Sequence, residues 1–407
     1  MTAEPVPLPG LAPLQRVMLG DSLAAPGAGH HVEQVEIVLT RSLTGAAVAA
    51  AWEETVARTA VLRTTFRIAG GTPVGMESVE PVKLLDLAQP VPTSTGSWLE
   101  SDRLRLLLAP NEVPWRAVYW PATRRFIWTL HHALLDGRSI ARILRGFLAR
   151  LNGGNADDLA ISKWRGPSPE TIARANRMFL ESTRVPEPAG VELPPLQDGS
   201  AVRSLGIDFA TRLDALATAM QVTAATILTW AWGQALAEAT GSDAVRVEQV
   251  RAGAPQHGTA GFTMNTLPVV IHRAADGEVE KSLRELRVQL LAQREIEAVS
   301  PDDFPPGVFP NMDEPGSSVI MIERGTLEHL VGATDLVESL VLHEAKGETL
   351  MATAYLLPDV RMEVEGPGRH LLLETWIGVL YRLEQARFAL LPELAGVERV
   401  IVPAGGE

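Results

Sequence analysis

The sequence predicts a mixed α/β (α+β) fold in two lobes, and three observations predict it. At 407 residues the chain exceeds what one hydrophobic core holds together, so two units are expected. Short aromatic and β-branched runs alternate with segments whose apolar residues recur at helical spacing, the pattern of helices layered on sheets. Between residues 152 and 200 the composition turns to Gly, Pro and polar residues, with PEPAGVELPP at 186–195 as the crossing point. The expected organisation is a first lobe over 1–185, a linker over 186–200 and a second lobe over 201–407.

In the first lobe, Val48, Trp52 and Val56 share one helix face and lead into VLRTTF at 61–66. RFIWTL at 125–130 has the make-up of a buried strand. After it, Ile140, Ile143, Leu144, Phe147, Leu148 and Leu151 form one apolar helical stripe. In the second lobe, 222–239 is apolar nearly all round, the mark of a helix buried between layers, and Thr223 stands where a cap belongs. VIMIE at 319–323 and SLVLHE at 339–344 read as strands, and a helix over about 368–388 closes the fold.

Composition narrows the function. Apolar residues make up 46% and charged residues 21%, as in a folded globular protein rather than a disordered one. A net charge of -13 with no basic run argues against nucleic acid as a partner. The first 15 residues hold no Lys or Arg, and no apolar run is long enough to span a bilayer, so a cytoplasmic protein with no membrane partner is expected. With no cysteine, thiolate nucleophiles and Cys-based metal sites are excluded. The chain has no G-x-x-x-x-G-K-[ST], H-E-x-x-H or G-x-S-x-G motif.

One stretch stands out, HHALLDGRS, which places His131, His132, Asp136, Gly137 and Ser139 on the loop between strand and helix. Two readings compete there. Asp136 and Ser139 are good helix caps, Gly137 suits an unusual backbone angle, and a histidine at a strand end often bonds a carbonyl. Alternatively, loop side chains held by rigid elements converge on a cleft and act chemically. Two imidazoles and a carboxylate at this spacing match no known facial triad, so no metal is expected.

HHALLDG resembles HHxxxDG, the signature shared by condensation domains of nonribosomal peptide synthetases and chloramphenicol acetyltransferase. Further segments are similar to the condensation family in the family's order. They are LAPLQRVMLGDSLAAPGAG at 11–29, RTAVLRTTF at 58–66, the helix and strand at 222–251, and GFTMNTLPV at 261–269. The chain departs from the family at Thr59 and Arg138, and the late family motifs are not recognisable between 290 and 320.

The resemblance implies two chloramphenicol acetyltransferase-like lobes in a V-shaped pseudo-dimer around a central channel. It implies a free-standing, monomeric acyltransferase of natural-product and antibiotic biosynthesis. Such an enzyme joins an acyl or aminoacyl group, carried as a thioester on a carrier protein's phosphopantetheine arm, to an amine or hydroxyl acceptor. The carrier docks in trans, and the enzyme itself binds no cofactor. His132 is then the reactive imidazole, as general base or as a group that orients the acceptor and stabilises charge. His131 bonds the scaffold, Asp136 pairs with Arg251, Gly137 permits the turn, and Asn265 and Ser139 line the channel. An epimerization-type domain of the same fold and a non-catalytic recruitment domain are the alternatives.

Overall fold

The apolar stripes close on two separate cores, each built on its own sheet. A computed structural model describes residues 6–7, 10–69, 72–77, 91–182, 199–299, 303 and 318–388, apart from short stretches at 107, 110–111, 165, 254–256, 276, 333 and 345–349. The expected linker, 186–200, lies outside the described residues except for its last two positions, as does most of 290–320 beyond residue 299.

The first core is organised by an antiparallel sheet in the order Val337–His343, Val32–Leu39, Arg125–His131, Trp115–Trp120. Helices Gly45–Ala57 and Gly137–Leu151 cover one face of it, because the residues read as helical stripes all turn inward. Trp52 is the centre of this packing, edge-on to Trp115, Trp128 and Phe147 at 5.7, 5.2 and 5.1 Å. Such aromatic pairs each contribute about 0.5–1.5 kcal/mol beyond the area they bury.

The second core lies on a mixed six-stranded sheet in the order Asn265–His272, Ala244–Arg251, Ser318–Gly325, Leu350–Leu357, Arg361–Glu365, Ser200–Ser204. Its two central pairings are parallel and the rest antiparallel. Helix Ala224–Thr240 is buried against it as predicted, and Thr223 caps that helix by accepting from the N–H of Thr226 at 3.1 Å. Gly233 lets helix and sheet approach: a Cβ there would lie 2.5 Å from the side chain of Ile271. Helix Arg369–Phe388 packs outside, with Trp376 Nε1 donating to the Leu228 carbonyl at 3.0 Å.

The cores do not divide at residue 200. Val337–His343 comes late in the chain yet completes the first sheet, and Ala260, Phe262, Leu327 and Val331 bury themselves in the first core. Alternation along a strand tells which face is apolar, not which sheet the strand joins.

In the second sheet, Ala352, Ala354, Met362 and Val364 face the helices. The pleat therefore turns Thr353, Tyr355, Glu363 and Glu365 to the opposite face, together with Glu248 and Glu323. No described helix is long and apolar enough to cross a membrane.

Candidate active site around His132

The motif runs out of one strand and into one helix. Arg125–His131 ends at the first histidine, His132–Leu134 forms a single 3-10 turn, and Gly137–Leu151 begins behind its cap, Asp136. Backbone bonds pin the turn on both sides. His132 N donates to the His31 carbonyl at 2.7 Å, and Asp136 N donates to the Gly261 carbonyl at 3.2 Å.

His131 is 1% exposed. Its Nδ1 accepts from the Ala133 N–H at 3.2 Å, so Nε2 carries the proton and donates to Ser22 Oγ at 2.9 Å. Burial, with His31 and His132 nearby, pulls its pKa down to about 3, so this ring stays neutral.

Asp136 is also buried, and its carboxylate is fully engaged. Oδ1 accepts from Ser139 N at 2.9 Å, and Oδ2 accepts from the N–H and hydroxyl of Thr263 at 3.2 and 2.9 Å. Asp136 does not pair with Arg251, contrary to the sequence expectation. The helix cap and Thr263 satisfy the carboxylate, while Arg251 donates to Gln293 from the end of its strand. There burial lowers the Arg251 pKa to about 10, with Glu297 opposing the drop and Arg294 adding to it. Gly253, at φ +64° and with the Thr263 carbonyl 2.5 Å from where a Cβ would sit, brings the Thr263 segment in this close.

Three further expectations need correction. Ser139 Oγ donates to the Gly261 carbonyl at 2.8 Å and accepts its N–H at 3.0 Å, so this hydroxyl ties helix to loop instead of lining a channel. Asn265 is likewise buried, its amide donating to the carbonyls of Glu297 and Val299 at 2.8 Å each. Gly137 opens the helix without a positive φ, and a Cβ there would meet open space. The Asp136 cap makes the turn, so no special backbone angle is required.

His132 differs from these neighbours. Its side chain keeps 20% of its surface open, and Phe262 stands edge-on to the ring at 5.5 Å. Nδ1 lies 3.0 Å from the Leu135 carbonyl and 3.0 Å from Oε1 of Glu33. A carbonyl only accepts, so Nδ1 holds a proton and Nε2 is the nitrogen that titrates. Among the described residues Nε2 has no hydrogen-bond partner. Burial alone would lower this pKa, but Glu33, Glu344 and Asp136 outweigh it and raise it to about 9.

Neither Glu33 nor Glu344 is indicated by the motif. The alternation of Val32–Leu39 does place Glu33 on the same face as Val35, Ile37 and Leu39, all buried, which was a readable signal of a buried carboxylate. Glu344 follows His343, the last paired residue of its strand, opposite Gln34. It is reached by water, yet crowding by protein, then Glu33, and then Glu365 and Glu363 push its pKa up to about 7 against the pull of His132. Glu323 is raised by burial and by Asp136, with Arg138 opposing. These couplings run from the His132 loop to the free face of the second sheet, so the reactive loop looks across at that face. Among the described residues no group of His, Asp and Glu is arranged to hold a metal ion.

No protein-family model matches the chain. Solved structures do. The first condensation domain of the calcium-dependent antibiotic synthetase, in complex with a substrate analogue, aligns at TM-score 0.69 and 16% identity over 94% of this chain and 97% of that one. The chain has the condensation-domain fold. The starter condensation domain of rhizomide synthetase aligns at TM-score 0.68 and 13% identity, over 93% of this chain and 94% of the other. Among curated proteins, a linear gramicidin synthase polypeptide of Brevibacillus parabrevis is 27% identical over 440 residues, covering 96% of this chain. Nonribosomal peptide synthetase 5 of Aspergillus fumigatus is 25% identical over 326 residues, covering 66% of it. This condensation-like chain spans 5% of the former's length and 14% of the latter's.

Proposed function

We propose that the chain is a condensation-type acyltransferase. It joins an acyl or aminoacyl group, presented as a thioester on the phosphopantetheine arm of a carrier protein, to an amine or hydroxyl acceptor. The observation that carries this reading is the state of His132, whose Nδ1 edge is fixed while Nε2 has no hydrogen-bond partner among the described residues. An intact, partly open imidazole of this kind favours catalysis over a purely recruiting role.

With Nδ1 protonated and the ring held charged at neutral pH, Nε2–H is a donor. A neutral acceptor amine attacks the thioester carbonyl, forming the C–N bond, and the carbonyl oxygen takes up negative charge. Nε2–H of His132 donates to that oxyanion, the kind of contact whose loss typically costs about 10²–10³-fold in turnover. The tetrahedral species collapses, the C–S bond breaks, and the leaving thiolate takes the proton from the former amine. His131, Asp136 and Ser139 act on the reaction only by holding the loop, and Arg251 and Asn265 by bracing the neighbouring strand ends.

Incubating the protein with acyl-loaded carrier and a panel of amines and alcohols, with mass spectrometry of the arm and the products, tests the reading. Acyl transfer is expected, and His132→Ala is expected to lose it by about 10²–10³-fold while keeping the parent's fold by circular dichroism, with a lowered melting temperature because Glu33 loses its facing cation. Equal turnover by the two proteins would end the assignment.

A further inference from the structure

The geometry points to Glu33 as a positioning residue for His132: its buried carboxylate meets the Nδ1–H edge and keeps the ring charged, so that Nε2 faces substrate as a proton donor. This rests on the acyltransfer reading for its purpose, but not for its test.

Glu33 is 5% exposed, on a strand whose register sets it opposite Leu130, two residues before His132. Oε1 lies 3.0 Å from His132 Nδ1, and Oε2 is buried with no hydrogen-bond partner among the described residues. A buried carboxylate so poorly served by neutral donors is costly unless a cation faces it. His132 is the cation the structure supplies. The Leu135 carbonyl already fixes which nitrogen carries the first proton, so Glu33 is not needed to choose the tautomer. What Glu33 adds is charge.

The other groups around the ring sharpen the assignment. Asp136 presents both oxygens to Ser139 and Thr263, and so is aimed away from the imidazole. Glu344 is the next residue beyond the last paired step of its strand, beside Glu33, and two carboxylates this close do not both ionise readily. Crowding by protein and Glu33 accordingly raise Glu344, although water reaches it, to about 7, with Glu365 and Glu363 adding from the opposite sheet and His132 opposing. His131 is neutral, and Arg138 is coupled to Glu323. Among the described residues Glu33 is thus the carboxylate whose oxygen lies against the Nδ1 edge of the ring.

The test is a pH titration of the His132 ring by NMR on histidine-labelled full-length protein, assigned with His132→Ala. The parent ring is expected to titrate near pH 9. In Glu33→Gln, which keeps shape and an acceptor but no charge, the midpoint should fall by about 1–3 pH units. Glu33→Asp should restore most of the difference. Identical midpoints in parent and Glu33→Gln, or a parent midpoint near the usual imidazole value, would overturn the proposal.

A second readout uses acyl-loaded carrier. The alkaline limb of kcat should move down in Glu33→Gln by the same interval, with KM for the carrier unchanged. A limb that stays in place while the ring midpoint moves would also overturn it. Absence of any acyl transfer in the parent would sink the acyltransfer reading while leaving the ring titration to decide the Glu33–His132 pairing.

Discussion

Thr263 turns both of its donors, N–H and hydroxyl, onto Oδ2 of Asp136, and so ties the segment after Gly261 to the cap of the helix that follows the two histidines. The connection joins residues 127 apart in sequence and fixes the loop from the far side.

That arrangement predicts where Asp136 is energetically coupled. Thr263→Val should cost about 1–2 kcal/mol and Asp136→Asn more, with a coupling of about 0.5–3 kcal/mol between them in urea-denaturation cycles. Asp136 and Arg251, having separate partners, should add within about 0.5 kcal/mol. Strong coupling of Asp136 to Arg251 and none to Thr263 would contradict the hydrogen bonds described.

Glu248 gives a pH dependence. It is 2% exposed on the face of the second sheet turned away from the helices, neither oxygen has a hydrogen-bond partner among the described residues, and burial raises its pKa to about 8 against the pull of Arg246. The folded value lies above the unfolded one. Stability from this group is therefore complete at low pH, falls as pH rises above about 4.5, and levels off once pH passes about 8. Glu248→Gln should be more stable than the parent at pH 8 and show a flatter curve of melting temperature between pH 5 and 8. Parallel curves for the two proteins would show that this carboxyl ionises normally in the fold.

At Gly233 the prediction is steric. A methyl group there meets Ile271 at 2.5 Å, in a core too dense to yield. Gly233→Ala should cost about 1–3 kcal/mol in chemical denaturation, despite alanine's better helix propensity. Pairing it with Ile271→Val should recover part of the loss, and a Gly233→Ala variant as stable as the parent would refute the close approach.

Much of the fold is legible in the sequence where a single period dominates. The stripe from Ile140 to Leu151 and the all-apolar run before Ala239 form helices because those patterns bury well in no other way. The home sheet of Val337–His343 is not legible, since half-buried strands look alike whichever edge they join. In the site, the HHALLDG loop itself is legible, but its partners are not. Thr263 stands inside GFTMNT and Glu33 inside VEQVEIVL, and only the approach of distant strands gives either side chain its role. Arg251 shows the converse: a charge at a plausible place in the chain reaches a different neighbour, Gln293.

The late strand Val337–His343 makes the two halves inseparable as gene fragments. A truncation after residue 200 would leave Val32–Leu39 as a bare border with unpaired amides and the apolar side chains of Val35, Ile37 and Leu39, an invitation to self-association. The other fragment would carry an orphan strand with no sheet to receive it. Splicing one half of such a protein onto the opposite half of a relative therefore has to carry 337–343 along with the amino-terminal portion, although more than a hundred residues lie between them.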